Sequence, residues 1–251
     1  MEYKILYLNG ERIRYIKEGR GQTLVFLHGF SIRPHNYKIL IEELSESFEV
    51  LAPDMYGTNY LKNQPKTIDE YAELTHDFCQ KFNTGRCYLS GHSLGGQISF
   101  ILGEEAPCDV GLIIAINPMI TNNPNYSNFL IGPLKTGIRK MLGFYGGLKS
   151  IPRAMRISLE SIINILRNLN ASASNLSDIT KFNYDSLAIK QPTLILFGDR
   201  DEYFTLDDRT EEQINKAFCQ LEIKRLNGYG HDWPLFKGEE TAQHIKDFLK
   251  I

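Results

Sequence analysis

Short apolar runs that alternate with segments of helical spacing constrain this chain more than any other feature. The runs are TLVFL (23–27), FEVLAPDMYG (48–57), RCYLS (86–90), VGLIIAIN (110–117), PTLILFG (192–198) and LEIKRL (221–226). A continuous apolar run without polar alternation suits a strand covered on both faces. Between the runs lie NYKILIEELSES (36–47), TIDEYAELTHDFCQKF (67–82) and LGGQISFILGEEA (94–106), and GEETAQHIKDFLK (238–250) closes the chain. Ile39, Leu40 and Leu44 share one helical face, as do Ile68, Tyr71, Leu74 and Phe78. Thr67 followed by Glu70 three residues later is a capping-box pattern. KILYL (4–8) and RIRYIKEG (12–19) flank Asn9-Gly10, a hairpin signal. Strands alternating with helices predict an α/β fold: an eight-stranded, mostly parallel sheet with helices on both faces and an antiparallel hairpin at one edge.

One segment breaks the alternation. Residues 118–191 hold no convincing strand, only helical patches such as SLESIINILRNL (158–169). A connection of that length in a compact domain needs structure of its own. The expected organisation is a core of residues 1–117 and 192–251, with 118–191 inserted as a helical cap over the carboxyl edge of the sheet.

The 251 residues suffice for one large α/β domain, and the net charge of −2 gives the chain as a whole no nucleic-acid signature, so no such partner is expected. No apolar run reaches the roughly 18 residues of a membrane-spanning helix. The first residues read as strand, turn and strand rather than a signal peptide, so the expected location is the cytoplasm. Cys79, Cys87, Cys108 and Cys219 form no CxxC pair and no His stands beside them at zinc spacing, so buried free thiols are expected, with no metal and no cofactor.

Gly91-His92-Ser93-Leu94-Gly95 has the pattern G-x-S-x-G, between an expected strand and an expected helix. A sharp strand-to-helix turn needs small neighbours and holds the serine hydroxyl clear of the sheet. A serine hydroxyl needs a base to take its proton, and the base needs an orienting acid. Of six histidines, His244 falls in the charged last helix, where a solvated ring is expected, His76 lies in the helix after Thr67, and His92 is part of the turn itself. His28 and His35 lie near the end of the third strand. His231 stands apart, in the glycine-rich loop NGYGHDWP (227–234) after the last strand, and is the expected general base. The acid comes from another strand end. LFGDRDEYF (196–204) offers Asp199, Asp201 and Glu202, and spacing alone leaves Asp199 and Asp201 open. Asp207 and Asp208 are placed to cap the helix that follows.

The chain order Ser…Asp…His, the G-x-S-x-G turn, the His28-Gly29-Phe30 after the third strand and the insertion together resemble the α/β-hydrolase superfamily, in particular its cap-bearing esterase-like members. The resemblance runs over nearly the whole chain and is weakest in residues 118–191. It implies a Ser93–His231–Asp201 triad, because the family acid stands in a G-x-x-D pattern that Gly198 to Asp201 fits. It also implies an oxyanion hole made by the backbone N–H groups of Phe30 and Leu94, with His28 structural, and a turn at Asp54–Gly57. Family members that open epoxides or cleave carbon–halogen bonds use Asp where this chain has Ser93, and Asn117-Pro118 stands where some members place their acid.

The expected function is therefore serine-dependent cleavage of a carboxylic ester in a small-molecule ester or acyl substrate. The same triad also serves C–C bond hydrolases, thioesterases, amidases and perhydrolases, and hydrolase-like receptors share the scaffold. Residues 119–170 carry seven Lys or Arg and one acid, Glu160. A solvated helix face accounts for that charge, and so does peripheral contact of a basic, apolar cap with anionic lipid.

Overall fold

The computed structural model describes residues 1–55, 61, 65, 67–82, 85–120, 148–167 and 187–251. Most of the expected insertion, and Tyr56 and Gly57 of the expected turn, lie outside the described residues. All eight expected strands form: β1 (Tyr3–Leu8), β2 (Glu11–Glu18), β3 (Gln22–Leu27), β4 (Phe48–Asp54), β5 (Cys87–His92), β6 (Val110–Ile116), β7 (Thr193–Gly198) and β8 (Leu221–Leu226). They make one sheet in the order β1-β2-β4-β3-β5-β6-β7-β8. β1 and β2 pair antiparallel, as do β2 and β4; the other pairs are parallel. Asn9 and Gly10 both have positive φ (51° and 79°), the backbone a two-residue hairpin turn requires.

Six α-helices are described: α1 (Lys38–Ser45), α2 (Ile68–Lys81), α3 (Leu94–Glu105), α4 (Ile151–Arg167), α5 (Asp208–Ala217) and α6 (Gly238–Leu249). The Thr67 side chain accepts from the Glu70 N–H and starts α2; Asp207 does the same for α5 through the Thr210 N–H. Strand residues divide by parity between two cores. Val25, Leu27, Ile113, Ala115, Ile195 and Phe197 face one, with α2, α3 and α5. Leu24, Phe26, Ile114, Ile116, Leu194 and Leu196 face the other, with α1 and α6. The period of two along each strand therefore serves both faces, and this is why the runs look unbroken in sequence.

The strand order fixes where a ligand belongs. From β3 the chain passes through α1 to β4 on one side, then through α2 to β5 on the other. The carboxyl ends of β3 and β5 thus flank the point where the winding reverses, the usual crevice for ligands in open parallel sheets. No helix among the described residues is long and apolar enough to cross a membrane. Cys79 and Cys87 are buried free thiols as expected, whereas Cys108 and Cys219 are exposed, at the loops leading into β6 and β8.

Candidate active site

Ser93 sits between the end of β5 and the start of α3, with φ 54° and ψ −115°. A non-glycine residue in that region is strained and is held only by its surroundings. Here the glycines do the holding. A Cβ on Gly91 would lie 2.2 Å from the Gly95 carbonyl, and a Cβ on Gly95 would lie 2.2 Å from the Leu27 carbonyl oxygen. Only glycine at both positions lets the turn close on itself and on β3. The Ser93 N–H donates to the Ile116 carbonyl, which ties the turn to β6 as well. Leu94 opens α3, so its N–H lies where a helix N-terminus favours negative charge. Phe30 follows His28 and Gly29 just beyond β3 and is half-buried.

His231 lies on the loop after β8 and Asp201 on the loop after β7. Their contact is short: His231 Nδ1 is 2.7 Å from Asp201 Oδ2. Asp201 Oδ1 accepts from the N–H groups of Tyr203 and Phe204, at 2.8 and 3.0 Å, so the carboxylate is fixed by its own turn. A carboxylate with two backbone donors acts as acceptor, so Nδ1 carries the proton and Nε2 is the basic nitrogen. Asp199 points elsewhere and accepts from the Gly228 N–H. Burial acts to lower the pKa of His231, but the charge and hydrogen bond of Asp201, with Asp232 and Glu202 behind, outweigh it and raise the pKa above the ordinary value. The ring packs against Tyr203 at 4.8 Å, His92 at 4.9 Å and Phe204 at 5.5 Å.

A buried network joins the three loops. The Gly29 N–H donates to Tyr37 Oη, which is 2.7 Å from His92 Nδ1. His92 Nε2 donates to the His231 carbonyl. Asn117 Nδ2 donates to the carbonyls of Gly230 and His231, and Asn117 Oδ1 accepts from the Gly198 N–H. Tyr37, His92 and Asn117 therefore tie together the loop after β3, the Ser93 turn, the end of β7 and the His231 loop. Sequence reasoning missed all three. Apart from the Gly29–Tyr37 bond, their partners lie 55 to 139 residues away, and no local pattern marks such a contact.

The remaining histidines separate cleanly. His28 accepts from the Met55 N–H through Nε2 and bonds the Gly29 carbonyl through Nδ1; burial pushes its pKa down to about 4, so it is a neutral structural bridge. His76 pairs with Asp109, and His35 with Glu160. His244 departs from expectation: it is half-buried, with its ring beside Trp233, because α6 turns that position onto the loop after β8. Metal-ligating atoms of His92, His231 and Asp232 lie within 4.8 Å of one another. Both His92 nitrogens are engaged by Tyr37 and the His231 carbonyl, and His231 Nδ1 by Asp201, so three of the ring nitrogens are already committed to hydrogen bonds.

Comparison with known proteins points the same way as the fold. A family model described as alpha/beta hydrolase fold matches residues 22–148. Monoacylglycerol lipase ABHD6 of Homo sapiens is 22% identical over 278 residues, covering 98% of this chain and 82% of the relative. Epoxide hydrolase 3 of Mus musculus is 24% identical over 282 residues, covering 96% and 75%. Among solved structures, a thermophilic esterase from Thermogutta terrifontis superposes with a TM-score of 0.78 at 18% identity, covering 100% of this chain and 98% of that one.

Proposed function

Because the chain belongs to the alpha/beta hydrolase fold family, we propose that it is a serine hydrolase that cleaves carboxylic esters through an acyl-enzyme. The observation that carries this reading is a histidine held 2.7 Å from a fixed carboxylate, on loops at the same sheet edge as a strained serine at the switch point. Ser93 Oγ attacks the ester carbonyl while His231 Nε2 takes its proton. The N–H groups of Phe30 and Leu94 hold the oxyanion, each contributing roughly 3 kcal/mol to lowering the barrier. The imidazolium, stabilised by Asp201, returns the proton to the leaving alkoxide. Water, deprotonated by the same nitrogen, then releases the acid and frees Ser93.

A lipase and an esterase among the similar proteins support an ester as the scissile group. Epoxide hydrolase 3 is similar as well, but this chain places Ser93 where the resemblance puts Asp for epoxide opening. The segment 118–191, most of which lies outside the described residues, is proposed to size the substrate. The partner is a small-molecule ester or acyl compound, with peripheral lipid contact through the basic cap segment as a second part of the reading.

Hydrolysis of a p-nitrophenyl ester series from acetate to palmitate tests this. Turnover is expected with a distinct chain-length optimum, and Ser93→Ala is expected to lower kcat about 10³-fold or more. Equal turnover by Ser93→Ala would overturn the assignment.

A further inference from the structure

The helix α4 holds to the body by a mixed face. Ala154 and Ile157 are buried, Ile157 in the core with α1 and α6, and polar residues anchor the helix beside them. Asn164 is fully buried and its Nδ2 donates to the Ser31 carbonyl at 2.9 Å. Ser161 bonds Ser31 through their hydroxyls, and Glu160 meets Arg33, His35 and Asn36. Arg153 donates to the Asn36 carbonyl. Burial acts to raise the Glu160 pKa, but His35, Asn36 and Arg33 outweigh it and hold it down at about 2, so the carboxylate stays ionised and paired.

A second set of apolar residues points outward. Met155, Leu159, Ile162, Ile163 and Leu166 are all exposed, the first two and the last by 60% or more. Positions 155, 159, 162, 163 and 166 recur at helical spacing and make one stripe. Burial of Ala154 and Ile157 and the polar clamp onto residues 31–36 together leave this larger apolar stripe facing outward.

We infer that the outward face of α4 is a docking surface for an anionic phospholipid membrane. This locates the lipid contact proposed above and rests on that part of the reading alone, not on the bond that Ser93 attacks. Charge selects the occupant. Arg156 and Arg167 are exposed within or beside the stripe, and exposed Lys149 lies just before the helix. The only acid of α4 is turned into the body. An apolar stripe edged by arginine and free of acid complements an anionic headgroup layer with an acyl interior beneath it. A second copy laid on the same stripe would set arginines near arginines with no carboxylate on the face to answer them.

The test is co-sedimentation of the full chain with phosphatidylcholine vesicles, with and without phosphatidylglycerol. All proteins carry Ser93→Ala so that no lipid is consumed. Binding is expected to the anionic vesicles, weakened by salt. Leu159→Ser with Leu166→Ser is expected to reduce partitioning about tenfold or more, and Arg156→Gln with Arg167→Gln roughly tenfold with a shallower salt dependence. Both pairs are exposed, so unchanged melting temperatures are expected. Binding that survives the leucine pair would leave a lipid contact but overturn its assignment to α4. No binding at low salt would overturn the lipid contact itself, while ester turnover by the unsubstituted chain would still stand as a separate result. A concentration-dependent dimer lost on Leu159→Ser with Leu166→Ser, or a lowered melting temperature without vesicle binding, would assign the stripe to a second copy or to the chain itself and overturn the inference.

Discussion

One Asp201 carboxylate fixes its own position and that of the His231 ring: one oxygen takes the Tyr203 and Phe204 N–H groups, the other faces His231 Nδ1. In the proposed mechanism the charge also sets the working pH. General-base action needs the neutral ring, and the pKa of His231 is raised. The active fraction therefore grows as pH rises, and kcat/KM is expected to climb through an apparent pKa above the ordinary histidine value of about 6.5 and then level off. Asp201→Asn removes the largest favourable charge, so burial gains ground: the limb is expected to move to lower pH, with kcat down about 10³- to 10⁴-fold. A pH–rate profile of both proteins checks this, and an unmoved limb would assign the titration to another group. Spacing alone could not separate Asp201 from Asp199, since both follow Gly198 within three residues. What separates them is the turn: Asp201 folds back onto the next two N–H groups, while Asp199 reaches the Gly228 N–H of a different loop. The resemblance to a G-x-x-D pattern chose the residue that lies on His231.

At the scale of elements, the turn between β5 and α3 was legible because its requirements are local. Two glycines whose Cβ atoms would strike backbone, and a serine between them, are written within five residues. The bridge that positions the turn was not legible, because Tyr37, His92 and Asn117 bring together segments distant in sequence. Tyr37→Phe tests it. The ring keeps its packing on Phe26, at 4.8 Å between centroids, but the Gly29 N–H and His92 Nδ1 lose a buried partner. The expected cost is about 1–3 kcal/mol in stability, with kcat down roughly tenfold and KM little changed, because the bridge holds the reacting loops rather than the substrate. Denaturation and steady-state kinetics read the two effects separately. Lost stability with unchanged kcat would make the bridge structural only. The helix α4 was half legible: its pattern showed in SLESIINILRNL, but it starts at Ile151, and nothing in the pattern tells which face turns inward.

Over the whole molecule, the alternation of apolar runs with amphipathic segments gave all eight strands in place, and the right-handed rule for parallel crossovers left few ways to order them. Sequence does not state the order itself. The reversal at β3, which brings the loops carrying Phe30 and Ser93 to one crevice, emerges only when the sheet is assembled. Loops after β7 and β8 then deliver Asp201 and His231 to the same edge, from residues more than a hundred positions beyond Ser93. We propose that this convergence activates one serine. The most direct measurement is fluorophosphonate labelling followed by intact mass and peptide mapping, which reads the nucleophile without knowledge of the substrate. One adduct per chain is expected, on Ser93, absent in Ser93→Ala and strongly slowed in His231→Ala. No adduct on the folded protein, or an adduct that persists in Ser93→Ala, would contradict the account.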